Sequence, residues 1–186
     1  MDNNMKRKIA GGMKWSSIES FGTTGISFVI SIIIARRLIP ADYGVMGMLA
    51  IFLALSNTFL NSGISSALIQ KKDVNNDDYS TAFYFNMMVG IGLYGILYFS
   101  APFIAEFYNQ PILIPVTRVV STTLIISALS MVQGTILSIK LDFRSKARNS
   151  LVSVIFSGIA GTIMAYNDFG VWALVWQGVL SGIIMM

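Results

Sequence analysis

The sequence contains neither cysteine nor histidine among its 186 residues. Without cysteine the chain cannot form a disulfide or use a thiol nucleophile, and without both residues it cannot build a Cys/His zinc site. The lack of histidine also removes the side chain that most often performs acid–base catalysis near neutral pH. We therefore expect no catalytic residue, no metal site and no cofactor in this part of the chain.

Charged residues are also scarce. Asp, Glu, Lys and Arg make up 12% of the sequence, whereas 54% of the residues are hydrophobic, and the mean hydropathy is +0.68. Because soluble domains carry about 25% charged residues, this composition excludes the soluble globular classes. The net charge of +4 does not indicate a nucleic-acid partner, since the basic residues lie in short segments between apolar runs.

Long apolar runs dominate what is present. They cover residues 15–35, 43–69, 80–104, 119–139, 149–167 and 169–186. About 20 apolar residues cross a bilayer as a helix, and these runs lack the alternation that is typical of barrel strands. The sequence thus predicts an all-α integral membrane protein with about six transmembrane helices. Since the last run stops without a polar tail, we expect residues 1–186 to be the N-terminal transmembrane lobe of a longer protein.

The basic residues predict the orientation of these spans. The segment before the first run is polar and basic, so we expect that run to be retained and not cleaved as a signal peptide. With the N-terminus inside, the inner segments hold ten of the thirteen Lys and Arg residues, namely Lys6, Arg7, Lys8, Lys14, Lys71, Lys72, Lys140, Arg144, Lys146 and Arg148. This excess on one side predicts a cytoplasmic N-terminus.

Several carboxamides stand inside the apolar runs. Asn57 and Asn61 are one helical turn apart, Asn86 opens the third run, and Gln133 lies in the fourth. Such residues either hydrogen-bond across packed helices or line a wet cavity. For the Ser and Gly stripes, including Ser157, Gly158 and Gly161 of the fifth run, packing is favoured. The sixth run carries Gln177 and Ser181. For Asn57 and Asn61 both interpretations stay open.

Charged residues at the spans raise a similar choice. Glu19 is the acid within the first run, and it is either interfacial and paired with Lys14 or a coupling-ion or cavity residue. Arg36, Arg37 and Arg118 lie at predicted outer ends, against the general charge bias. They either extend to lipid headgroups or form a cationic lining for an anionic substrate, because guanidinium binds phosphate bidentately.

The segments around these residues resemble a known family. The turn 35–44 matches its A-R-x-L-x-P-x-[DE]-[FY]-G pattern, and further matching segments are 62–70, 83–86, 101–113, 141–144 and 170–175. In this order they resemble the polysaccharide transporter branch of the multidrug/oligosaccharidyl-lipid/polysaccharide (MOP) exporter superfamily, and most closely its Wzx-type and teichuronic-acid-type flippases. Lys140 stands where the family often has Arg. Arg37 occupies a variable position, so Arg36 alone is carried over from that pair.

The resemblance implies both a fold and a function. Members have two pseudo-symmetric bundles with twelve to fourteen spans, so this chain is similar to one lobe of a MATE/MOP-type transporter. The implied function is export of a lipid-linked (polyprenyl-pyrophosphate) oligosaccharide across the bacterial inner membrane, by alternating access, for surface polysaccharide biosynthesis. The implied partners are this substrate, membrane lipids, a C-terminal lobe, and a glycan polymerase or other assembly proteins. The substrate-cavity candidates are Arg36 and Arg118 for the pyrophosphate, Asn57, Asn61, Asn86 and Gln133 for sugars, and Glu19.

Three alternatives compete with this interpretation. A drug or cation exporter of the same superfamily needs an acid deep in the lobe, whereas Glu19 is shallow. A membrane-embedded enzyme of envelope synthesis is disfavoured, because such enzymes need a polar catalytic constellation, often with His. A non-transporting truncated remnant fits the length of the chain.

Overall fold

The structure is a computed structural model that describes residues 3–61, 76–139 and 143–186. Within these ranges every regular element is a helix. The helices are α1 (Asn3–Ala35), α2 (Pro40–Asn61), α3 (Asn76–Phe107), α4 (Leu113–Val120), α5 (Thr122–Ile139), α6 (Phe143–Tyr166) and α7 (Val171–Met185). This architecture confirms the predicted all-α integral membrane class.

Five stretches of the described helices are long and apolar enough to cross a membrane. They are Lys14–Ala35, Pro40–Leu60, Tyr79–Phe107, Leu113–Met131 and Phe143–Tyr166. The sixth apolar helix, α7, has 15 residues, which correspond to about 22 Å at 1.5 Å per residue. The predicted continuation of the second span over residues 62–69 lies outside the described residues.

Helices α1, α2, α3, α4 and α6 all begin earlier than the predicted spans, and the extensions incorporate charged residues, as α4 and α6 illustrate. The fourth span starts at Leu113 and not at residue 119, so Arg118 lies inside the membrane-spanning stretch. Pro115 is tolerated there because the first helical turn needs no backbone N–H from it. Likewise α6 starts at Phe143 and contains Arg144 and Lys146 in its first turns.

Helix α7 lies at the centre of the lobe. It contacts α2, α4, α5 and α6, while α1 packs mainly on α6 and α3 packs mainly on α5. The larger apolar core joins Leu49 of α2, Leu113 and Val116 of α4, Leu124 of α5 and Val175 of α7, all of which are almost fully buried. A smaller core, centred on Ile34 and Ala173, joins α1, α6 and α7.

Two of the motif turns meet at one end of the lobe, which we call the outer end, following the predicted orientation. Pro40 occupies the first position of α2, and Asp42 reaches back so that its Oδ2 accepts a hydrogen bond from the Ile39 N–H at 3.2 Å. Gly170, just before α7, has φ of +55°. A Cβ atom at this glycine would lie 3.1 Å from Asp42 Oδ1, so the two turns pack directly on each other.

Candidate functional site

A groove of about 410 Å³ opens on the lobe; four helices contribute to it, and its mostly apolar surface carries five polar side chains. Its lining residues are Ser27 of α1, Tyr43 and Met46 of α2, Val154 and Ser157 of α6, and Leu174, Gln177, Gly178 and Ser181 of α7. The volume lies within the range of about 300–1,000 Å³ that is usual for small-molecule sites. None of the nine side chains carries an ionised group at neutral pH.

Small residues on α6 bring the groove helices together. The buried face of α6 consists of Ala147, Ser150, Ser153, Ser157, Gly158, Gly161 and Ala165. Gly158 packs so closely on Ile30 of α1 that an added Cβ would overlap the isoleucine side chain. Gly161 makes a similar close approach to Gln177 of α7. Close backbone approach through small residues is the usual way in which membrane helices associate.

Part of the polar lining is satisfied by the lobe itself. Ser153 Oγ donates to the Ser181 carbonyl at 2.6 Å and lies 3.0 Å from Ser181 Oγ, which links α6 to α7. Ser157 Oγ donates to the Val154 carbonyl of its own helix at 3.4 Å. These hydroxyls therefore contribute to helix packing as well as to the lining.

Three other polar groups of the lining form no hydrogen bond with the described residues. Among the described residues, the hydroxyls of Ser27 and Tyr43 and the carboxamide of Gln177 have no hydrogen-bond partner, although all three line the groove. Ser27 and Tyr43 are exposed, and Gln177 is half-buried. Together they present hydrogen-bond donors and acceptors without charge. The groove is thus suited to an uncharged polar group such as a sugar.

Glu19 lies at the opposite end of the lobe from the motif turns. It is half-buried, and its Oε1 accepts a hydrogen bond from Ser150 Oγ of α6 at 2.8 Å. Nearby on the same two helices, the Arg144 guanidinium lies 5.5 Å from the centre of the Trp15 ring. Glu19 therefore links α1 to α6 and does not line the groove.

The two predicted phosphate-binding arginines differ in their surroundings. Arg36 is exposed and follows the last residue of α1. Arg118 is half-buried in α4, and its Cζ lies 4.4 Å from the centre of the Tyr98 ring of α3. Its Nε is buried and has no partner among the described residues. The stacking on Tyr98 explains how a cation is accommodated inside a span.

The predicted sugar-binding amides do not converge in one place. Asn86 of α3 is buried, and its Nδ2 lies 3.1 Å from the Met131 sulfur of α5. Asn57 donates to the Leu53 carbonyl of its own helix at 2.9 Å. Gln133 is exposed and lines a separate cavity of about 80 Å³ with Lys146 and other residues. The side chain of Asn61 lies outside the described residues.

None of the predicted site residues with a described side chain lines the groove. Gln177 and Ser181 stand one helical turn apart in an uncharged run, but neither is among the predicted site residues. Asn57 and Asn61, which are predicted cavity residues, have the same spacing in an apolar run. Spacing alone therefore cannot distinguish residues that line the groove from residues that do not. Ser27 gave no signal, because it is a single polar residue between apolar neighbours, and Tyr43 was singled out only as part of the motif turn 35–44.

Within the described residues, no three His, Cys, Asp or Glu side chains lie close enough together to hold a metal ion. What the lobe offers a ligand is therefore hydrogen bonding in the groove and the cationic side chains at the outer end.

Comparison with known proteins identifies the family. The chain is 21% identical to the lipopolysaccharide biosynthesis protein WzxC of Escherichia coli over 97% of its length, and 27% identical to the teichuronic acid biosynthesis protein TuaB of Bacillus subtilis over 83%. It is also 22% identical to the succinoglycan biosynthesis transport protein ExoT of Rhizobium meliloti over 97%. The matches cover 36%, 32% and 36% of these relatives, so the chain spans about a third of their length.

No solved structure matches the chain. The model of a family described as polysaccharide biosynthesis protein matches residues 33–186, a range that includes all six motif segments and, in part or whole, the four helices of the groove. The chain therefore belongs to this polysaccharide biosynthesis protein family, which confirms its resemblance to the polysaccharide transporters of the MOP superfamily.

Proposed function

We propose that the complete protein moves a lipid-linked oligosaccharide, carried on a polyprenyl pyrophosphate, across the bacterial inner membrane during surface polysaccharide biosynthesis. In this proposal the described helices form one lobe with a cytoplasmic N-terminus. A second lobe completes the pathway, and the two alternate in access around a site between them.

The observation that carries this proposal is the uncharged polar groove between α1, α2, α6 and α7. Polar groups inside a membrane-spanning lobe are costly unless they serve packing or a transported ligand. Ser27, Tyr43 and Gln177 serve no internal hydrogen bond among the described residues. Sugars carry many hydroxyls and no charge, so they match these groups, whereas a cationic drug would require a carboxylate in the lining.

The arginines at the outer end supply the complementary chemistry for the pyrophosphate. Arg36 is accessible at the end of α1. Arg118 is partly shielded from water and stacked on Tyr98. Charge-assisted hydrogen bonds from guanidinium to phosphate are roughly twice as strong as neutral ones. We therefore propose Arg36 and Arg118 as phosphate contacts at the outer stage of transport.

Transport can be measured with the complete protein in lipid vesicles that contain a fluorescent lipid-linked oligosaccharide. We expect the labelled lipid to cross the bilayer faster than in protein-free vesicles. Replacing Arg36 with Gln should slow this crossing roughly tenfold or more, since it removes a charge-assisted contact, and should leave membrane insertion intact. The matched control is Arg37→Gln, because Arg37 occupies a variable position of the motif and stacks on Tyr166.

Two results would contradict the proposal at different levels. Equal crossing rates with and without protein would refute transport of this lipid. A normal rate for Arg36→Gln, with transport by the wild type, would refute only the role of Arg36.

A further inference from the structure

Gln177 is held in the groove by direct contact with the backbone of α6. A Cβ atom on Gly161 would lie 3.0 Å from Gln177 Cβ, 3.2 Å from its Cγ and 3.3 Å from its Cδ. The glutamine side chain therefore lies against Gly161, and a methyl group at this position would require the side chain to shift by a few tenths of an ångström. This contact restricts the stem of Gln177 and leaves its carboxamide to line the groove.

The carboxamide of Gln177 is equipped to bind a ligand. It offers two N–H donors and one carbonyl acceptor, and among the described residues it has no hydrogen-bond partner. Its amide atoms are not among the buried unpaired atoms of the described residues, so they are accessible to a ligand in the groove. The open hydroxyls of Ser27 and Tyr43 lie on α1 and α2 of the same groove, so a ligand could contact three helices at once.

We infer that Gln177 is the specificity-determining contact of the groove, that it recognises an uncharged sugar ring of the lipid-linked substrate, and that Gly161 is the residue that positions it. This inference rests on the proposed function. A site built to hydrogen-bond a hydroxyl discriminates strongly against ligands that lack it. The pyrophosphate is bound elsewhere, because the groove lining has no cation.

Binding to the complete protein in nanodiscs tests the inference. The probes are three polyprenyl pyrophosphates: one bare, one carrying a single uncharged hexose and one carrying a single uronic acid. The wild type should bind the hexose lipid more tightly than the bare lipid. Gln177→Leu should weaken binding of the hexose lipid about fivefold, as expected for one or two neutral hydrogen bonds, and should not change binding of the bare lipid.

Two further variants test the charge of the side chain at position 177 and the positioning of that side chain by Gly161. Gln177→Glu should weaken binding of the uronic acid lipid more than that of the hexose lipid, because it places two carboxylates together. Gly161→Ala should reduce the preference for the hexose lipid, because the added methyl group displaces the glutamine. The matched controls are Gln110→Leu, in an exposed turn, and Gly92→Ala, where an added Cβ meets no atom within 4 Å; both should bind all three lipids as the wild type does.

The outcomes separate this inference from the proposed function. If the wild type binds none of the three lipids, the proposed function fails. If the wild type prefers the hexose lipid and Gln177→Leu keeps that preference, the inference is overturned while the proposed function stands. If Gln177→Leu weakens all three lipids equally, the glutamine supports the fold or contacts another part of the protein, and the inference is again overturned. An equal loss for all three lipids in Gly161→Ala would overturn its positioning role.

Discussion

The contact between α3 and α5 should not tolerate a methyl group at Gly90. A Cβ at this position would lie 2.7 Å from Ala128 Cβ and 3.3 Å from the Leu124 carbonyl oxygen. Since carbon atoms in contact prefer about 3.5–4.0 Å, the new methyl group would be about 1 Å too close. Neither Ala128 nor the alanine introduced at position 90 has a side-chain torsion that could relieve the overlap, so α3 and α5 would have to move apart.

The size of the effect follows from two opposing terms. Overpacking a close contact costs about 1–3 kcal/mol, while replacing glycine by alanine within a helix gains up to about 1 kcal/mol. We therefore expect Gly90→Ala to lower the free energy of unfolding by up to about 2 kcal/mol. The separation would also lengthen the 3.1 Å contact between Asn86 and Met131, which joins the same two helices.

A matched control lies on the same helix. Gly92 is exposed, and an added Cβ there meets no atom within 4 Å. Gly92→Ala should therefore leave stability unchanged or raise it slightly. Ala128→Gly should rescue Gly90→Ala, because it removes the atom that the new methyl group meets. The pair should show a favourable coupling free energy of about 1–3 kcal/mol in a double-mutant cycle.

Thermal unfolding of the complete protein in detergent, followed by tryptophan fluorescence, measures these differences. The reasoning predicts a lower midpoint temperature for Gly90→Ala than for Gly92→Ala, and a recovery in the double variant. Equal midpoints for the two single variants would refute the close α3–α5 contact. Absence of a favourable coupling in the double-mutant cycle, which corrects for the cost of Ala128→Gly alone, would show that the destabilisation does not come from Ala128.

Two further predictions concern the outer end. Gly170→Ala should destabilise the protein by about 1–3 kcal/mol, because φ of +55° strains an L-residue and the methyl group would meet Asp42. In the same melting assay, adding Asp42→Ala to Gly170→Ala should recover only the part of the stability that is lost through the contact between the methyl group and Asp42. Full recovery of stability would argue against backbone strain. Arg118→Gln removes the cation that lies over the Tyr98 ring, so a double-mutant cycle with Tyr98→Leu should give a coupling of about 1 kcal/mol; zero coupling would contradict the cation–π contact.

The carboxamides illustrate why the candidate site could not be predicted from the sequence. Asn86 and Gln177 give the same signal, an amide within an apolar run. In the structure, Asn86 is buried against Met131, while Gln177 lines the groove without an internal partner among the described residues. The difference depends on how each helix is rotated about its axis and which helix faces it, and neither quantity follows from spacing along one helix.

The helix boundaries show a related limit. From its charge alone, Arg118 is expected in a loop, and the predicted fourth span therefore begins after it. In the structure, Arg118 lies within that span because Tyr98 of a neighbouring helix stacks on the guanidinium. Tyr98, which is distant in sequence, thus lowers the free-energy cost of placing the charge of Arg118 within the span.

By itself the sequence determined the class, the helical spans and the family. Backbone groups in lipid must be paired within their own segment, so long apolar runs are sufficient to predict helices, and the motif turns carry the family resemblance. Only the tertiary structure decided which polar residues share a surface. The groove brings together Ser27, Tyr43 and Gln177, and it exists because glycines of α6 let α1 and α7 approach closely. That packing is a property of helix pairs, and the pattern of a single helix does not contain it.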